Sequence, residues 1–107
     1  MEAILVYVTC ASEAEAIQLG SRMVEEKLAA CANLIPGMQS IYRWEGKVQR
    51  DQEFVLILKT LSEKLSVMTA RVKELHSYEV PCVVALPILG GNVDYLNWLG
   101  EQVSSNL

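Results

Sequence analysis

The feature that most constrains the fold is a pair of long strand-like segments on either side of one tight turn. Met38 to Trp44 and Lys47 to Thr60 read as strands, and Glu45-Gly46 between them is a turn signal. The second segment begins polar ("KVQRDQE") and ends apolar on both faces ("FVLILK"). This predicts a hairpin whose base is buried and whose tip leaves the domain. About twelve residues at about 3.3 Å each reach roughly 40 Å, whereas a domain of about 100 residues has a radius of gyration near 13 Å. A two-stranded ribbon is marginal alone in water. It needs a partner surface, and the simplest is another copy of the same chain.

The other elements follow from local pattern. Ala3 to Val8 ("AILVYV") is a short apolar run suited to a central strand. Ser12 and Glu15 form a capping box, and Ile17, Gly20, Val24 and Leu28 recur at helical spacing, which predicts a helix over 12–30. Pro36-Gly37 must interrupt or kink the strand that Leu34 and Ile35 begin. Thr60 and Glu63 suggest a second capping box. Leu61, Leu65, Met68, Val72 and Leu75 follow in steps of three and four, predicting a helix that ends near His76. Val80 to Ile88, flanked by Pro81 and Pro87, reads as a strand stopping at an edge, and Asn92 can cap a last short helix. The order β-α-β-β-α-β-α predicts an α+β fold, a ferredoxin-like βαββαβ sandwich with an extended β2–β3 hairpin and an extra C-terminal helix.

The 107 residues point to one domain over 1–107, and 51% hydrophobic with 21% charged residues is a globular balance. Nine Lys and Arg against thirteen Asp and Glu give a net charge of −4, which argues against nucleic acid as a partner. Met1-Glu2-Ala3 lacks the basic stretch of a secretory leader, and no apolar run approaches the roughly 20 residues of a membrane helix. Three cysteines, widely spaced, argue for a reducing compartment and against a disulfide framework. The expectation is a cytoplasmic protein that does not engage a membrane.

Catalytic motifs are absent from the sequence: there is no G-x-S-x-G, no phosphate-binding glycine loop, and no residue to orient a His76–cysteine couple. The soft-ligand inventory is His76, Cys10, Cys31 and Cys82, which suits copper, zinc and related ions without showing tight ligand spacing. Cys31 and Cys82 read first as packing residues. Cys10, just before a helix N-terminus, reads as the most reactive thiol. His76 has a competing structural role at a helix C-terminus. Tyr42, Trp44, Tyr95 and Trp98 suit an interface or the lining of a ligand pocket.

The segments "EKLAACANLIPGMQSIYRWEGKV", "LILKT", "HSYEVP" and "DYLNWL", in this order, resemble the CutA family of divalent-cation tolerance proteins over nearly the whole chain. The resemblance implies a homotrimer whose hairpins pair between subunits. It implies a non-catalytic role in tolerance of copper or other divalent metal ions. It also implies kinship with the PII signalling trimers, whose clefts between subunits hold small ligands. Some members carry metal ligands at a strand-1 cysteine and at paired histidines before a tyrosine. Here His76 matches the second histidine, Leu75 stands at the first, and the cysteine position falls at Val8, with Cys10 two residues on along the same strand face. Ser77 stands where a proline is usual, and Cys82 where an acid is frequent. The candidate metal ligands are therefore His76, Cys10 and Cys82.

Overall fold

The structure is a computed structural model that describes residues 2–104. Met1 and residues 105–107, the ends of the expected 1–107 domain, lie outside the described residues. The chain runs β1 (Ala3–Cys10), α1 (Glu13–Glu25), β2 (Cys31–Trp44), β3 (Lys47–Leu61), a 3-10 turn (Ser62–Lys64), α2 (Leu65–Leu75), β4 (Val83–Pro87) and α3 (Val93–Gln102). The four strands form one antiparallel sheet in the order β2-β3-β1-β4. This is the expected ferredoxin-like order.

Side chains alternate across a strand, so directly paired residues share a face. Val8 pairs with Leu56 and Val6 with Leu58, while Tyr7 pairs with Ile57 and Thr9 with Val55. The first set meets Leu19 and Met23 of α1 and Met68 and Val72 of α2 in the main core. Gly20 lets α1 sit close to the sheet: a Cβ there would lie 3.0 Å from Ala32 Cβ and 3.3 Å from a Leu56 methyl. On the opposite face, α3 covers one end of the sheet through Leu99 and Val103, packed with Ala3, Ala30 and Leu61. Elsewhere on that face Thr9 and Val55 are buried, while Val84 and Leu86 on β4 are half exposed.

β1 pairing ends at Cys10 and Phe54, but β2 and β3 continue as a pair from Met38–Glu53 to Trp44–Lys47. The ribbon extends the molecule to 45 Å along its longest axis, against 26 and 21 Å across. Its Ile41 and Val48 are largely exposed.

Several expectations shift by a few residues, for identifiable reasons. The helix expected over 12–30 stops at Glu25, because Lys27 adopts a left-handed φ of 59° and the Leu28 and Ala29 amides fold back onto the Met23 carbonyl oxygen. Its buried stripe is Ala16, Leu19, Gly20 and Met23; Ile17 and Val24 are exposed. Of the two expected outcomes at Pro36-Gly37, the strand is kinked and not interrupted: the pair forms a bulge within β2, with Gly37 at a φ of 78°. The Thr60–Glu63 capping box does not form. Thr60 belongs to β3, and α2 begins after the 3-10 turn without a side-chain cap. β4 is Val83–Pro87, shorter than Val80 to Ile88. Asn92 caps α3 as expected, accepting from the Asp94 amide at 3.0 Å.

Candidate functional site

The end of β1, the start of α1 and the end of α2 converge on one point. Cys10 is the last residue of β1 and is fully buried. Ser12 caps α1 by accepting from the Glu15 amide at 3.2 Å, which turns Glu15 back toward the strand end. Its carboxylate accepts from the Ala11 amide at 3.2 Å and the Ser77 amide at 2.7 Å. His76 leaves α2 in an extended conformation, as its C-cap residue. The ligand atoms of Cys10, Glu15 and His76 all lie within 4.8 Å of one another.

Of the three sequence candidates, Cys10 and His76 thus come together, and Glu15 joins them. Cys82 is not in this group. It lies half-buried ahead of β4 and lines a separate cleft. In the sequence Glu15 reads only as half of a capping box. The signal for a further role was its place one helical turn from a strand-end cysteine.

Both ring nitrogens of His76 already have partners. The Tyr78 amide donates to Nδ1 at 3.0 Å, so Nδ1 carries no proton. Nε2 therefore bears the hydrogen and donates to the Thr9 carbonyl oxygen at 2.8 Å. In this neutral form the 3.8 Å approach of Nδ1 to Glu15 is a neighbour contact and not an ion pair. Burial pushes the Cys10 thiol up to about 12, with the Glu15 and Glu53 carboxylates adding to the effect. This overturns the expectation that Cys10 is the most reactive thiol: it is buried, and two acids stand near it. Burial also tends to raise the pKa of Glu15. Hydrogen bonds from Ser77 outweigh it and, with the Ala11 amide, hold the carboxyl below its ordinary value.

A donor set of sulfur, imidazole nitrogen and carboxylate oxygen fits a copper- or zinc-like ion. The anchored Nε2–H is the arrangement that orients a ligating histidine. A tetrahedral ion places such donors roughly 3.5 Å apart, so the trio must draw together, Nδ1 must release the Tyr78 amide, and Cys10 must lose its proton.

The Ser77-Tyr78 turn links this group to a cleft of about 700 Å³ on the other side of the sheet end, walled by Tyr7, Tyr42, Trp44, Glu53, Tyr78 and Cys82. The Tyr78 hydroxyl donates to Glu53 at 2.7 Å. Burial first, and then this bond, hold the Tyr78 phenol above its ordinary pKa. Tyr42 and Trp44 line the cleft, while Tyr95 and Trp98 pack on each other across the molecule, ring centroids 5.5 Å apart.

Residues 4–102 match the family model of the CutA1 divalent ion tolerance protein. The chain belongs to the CutA1 divalent ion tolerance family. The CutA relatives include the divalent-cation tolerance protein of Thermus thermophilus, 50% identical over 92% of this chain and 95% of its own length. A CutA protein of Oryza sativa, described as chloroplastic, is 51% identical over 90% of this chain, which spans 54% of that longer protein. The solved structure of a CutA from Archaeoglobus fulgidus, described as periplasmic, superposes with a TM-score of 0.92 at 41% identity, covering 95% of this chain and 99% of that one. The family model and the Thermus relative are both described as divalent-ion tolerance proteins. Family members carry different compartment names, so the fold itself does not fix a compartment. No helix among the described residues is long and apolar enough to cross a membrane.

Proposed function

We propose that the chain is one domain over 1–107 and assembles as a homotrimer in the cytoplasm. In this reading it is a non-catalytic, metal-responsive protein that takes copper or another divalent metal ion at Cys10 and His76, with Glu15 as third donor. The observation that carries the reading is the convergence of these three donors at the junction of β1, α1 and α2. An ion bound there links two helix ends and a strand end, so occupancy stiffens the segment that leads into the cleft. Cys82 remains the rival thiolate, from the cleft side. Family membership supplies the tolerance role; the donor chemistry favours a soft ion.

The partly uncovered sheet face supports assembly. Val84 and Leu86 are half exposed on it, and β2 and β4 leave two free sheet edges. Exposed apolar residues beside an unpaired edge suit pairing with another copy. Sedimentation of the purified chain is expected to give three times the chain mass; a monomer mass contradicts the assembly.

Anaerobic titration of the reduced protein with copper and zinc is expected to show one ion per chain, with the uptake lost in His76→Ala. Uptake that is absent, or unchanged by the substitution, removes the metal reading.

The cleft favours a second reading. A pocket walled by aromatic rings around a buried carboxylate is the form of a small-molecule site. In this reading the trimer is a PII-like signalling or assembly protein with its ligand between subunits, and metal uptake is incidental.

A further inference from the structure

We propose that the cleft at the base of the ribbon binds a small organic cation through a primary ammonium group, with Glu53 as its counter-ion. The inference rests on the second reading above, that the cleft receives a small molecule, and adds the chemical class.

Glu53 is only 7% exposed. It sits on β3 one residue past the end of β1 pairing, opposite Met38 and beside the β2 bulge. Among the described residues its one hydrogen bond is from the Tyr78 hydroxyl to Oε2. Among the described residues no Lys, Arg or His forms an ion pair with it. Its Oε1 has no partner, yet it is not sealed in the interior, where Thr60 Oγ1 alone is unsatisfied. Burying a carboxylate is costly unless a charge compensates it. A cationic partner at Oε1 would compensate that cost.

The cleft wall is acidic and aromatic. Glu79 is a second carboxylate on it, and no Lys, Arg or His lines it. Asp51 stands behind the Tyr42 hydroxyl, which donates to it. Tyr7, Tyr42 and Trp44 present ring surface, which attracts a cationic head and covers an apolar body. A carboxylate acceptor prefers a charged N–H donor, which gives a short and strong bond. A hard metal ion asks for six or more oxygen ligands, and among the described residues the only group of three or more candidate ligands is Cys10, Glu15 and His76. The volume, about 700 Å³, suits a small molecule.

The test uses the full chain in its native assembly and three probes of one shape: phenethylamine, phenethyl alcohol and phenylacetate. Calorimetry and tryptophan fluorescence read the binding. The amine alone is expected to bind measurably and to quench or shift emission. Glu53→Gln, which keeps an acceptor for Tyr78, is expected to weaken the amine at least about tenfold without changing the sedimentation mass. If all three probes bind alike, the cleft takes ligands but the cation class is wrong. If none binds, both the proposal and the small-molecule reading fall. If none binds and Glu53→Gln also dissociates the assembly, a basic side chain of a neighbouring copy is the cation, and the proposal is overturned.

Discussion

His76 Nε2 donates to the carbonyl oxygen of Thr9 at 2.8 Å, across 67 residues of sequence. The bond ties the end of α2 to the end of β1, and Nδ1 in turn receives the Tyr78 amide. The imidazole thus works as a neutral bridge whether or not it also binds an ion. His76→Ala removes both bonds and leaves a space, and is expected to cost about 2–4 kcal/mol in denaturant unfolding of the reduced, metal-free protein. A change within experimental error contradicts the bridging role.

Glu15 makes stability depend on acid. Its folded pKa lies below the ordinary 4.5, because hydrogen bonds from Ser77 and Ala11 outweigh the opposing effect of burial. A lowered folded pKa gives stability that is full above 4.5 and is lost as pH falls through the folded value. Glu15→Gln should therefore unfold more easily than the parent at neutral pH, and the two should converge in acid. A constant gap at every pH removes this account.

The three cysteines should separate by reactivity. Cys10 is fully buried with its thiol near 12, whereas Cys31 and Cys82 are half-buried. Alkylation of the native protein at mild alkaline pH, followed by peptide mass analysis, should label Cys10 at least about a hundredfold more slowly than Cys31 or Cys82. Equal rates contradict the packing at the end of β1.

Thr60 is fully buried on β3, and its hydroxyl has no hydrogen-bond partner among the described residues. Thr60→Val keeps the shape and removes the unsatisfied group. Thermal unfolding should show a gain of about 1 kcal/mol. A loss of stability means the hydroxyl has a partner.

Much of this was legible in the sequence because it depends on local pattern. The capping box at Ser12, the asparagine cap at Asn92, the Glu45-Gly46 turn and the three-and-four spacing from Leu65 to Leu75 each name an element by its own chemistry, whereas Leu61, placed at the head of that helical spacing, ends β3. The ribbon was legible from length and polarity. The end of α1 was not, because Lys27 turns left-handed without a glycine to announce it. Ile17 and Val24 misled the choice of buried stripe, because small residues, Ala16 and Gly20, take the close contact with the sheet. At the site, residue types gave His76 and Cys10 but not their union with Glu15, which needs two chain ends brought together by the βαβ crossover. Cys82 could not be placed, since two residues of loop decide which side of the sheet it faces. The burial of Glu53 was equally silent, as its segment reads as polar strand.

The most direct test of the metal reading is a cobalt(II) titration of the reduced protein under anaerobic conditions, followed by thiolate-to-cobalt charge-transfer absorption. The band reports a metal–sulfur bond and not only binding. The account predicts a band that saturates at one cobalt per chain, persists in Cys82→Ser and disappears in Cys10→Ser. A parent protein without the band, or a band that survives Cys10→Ser, contradicts the assignment of Cys10.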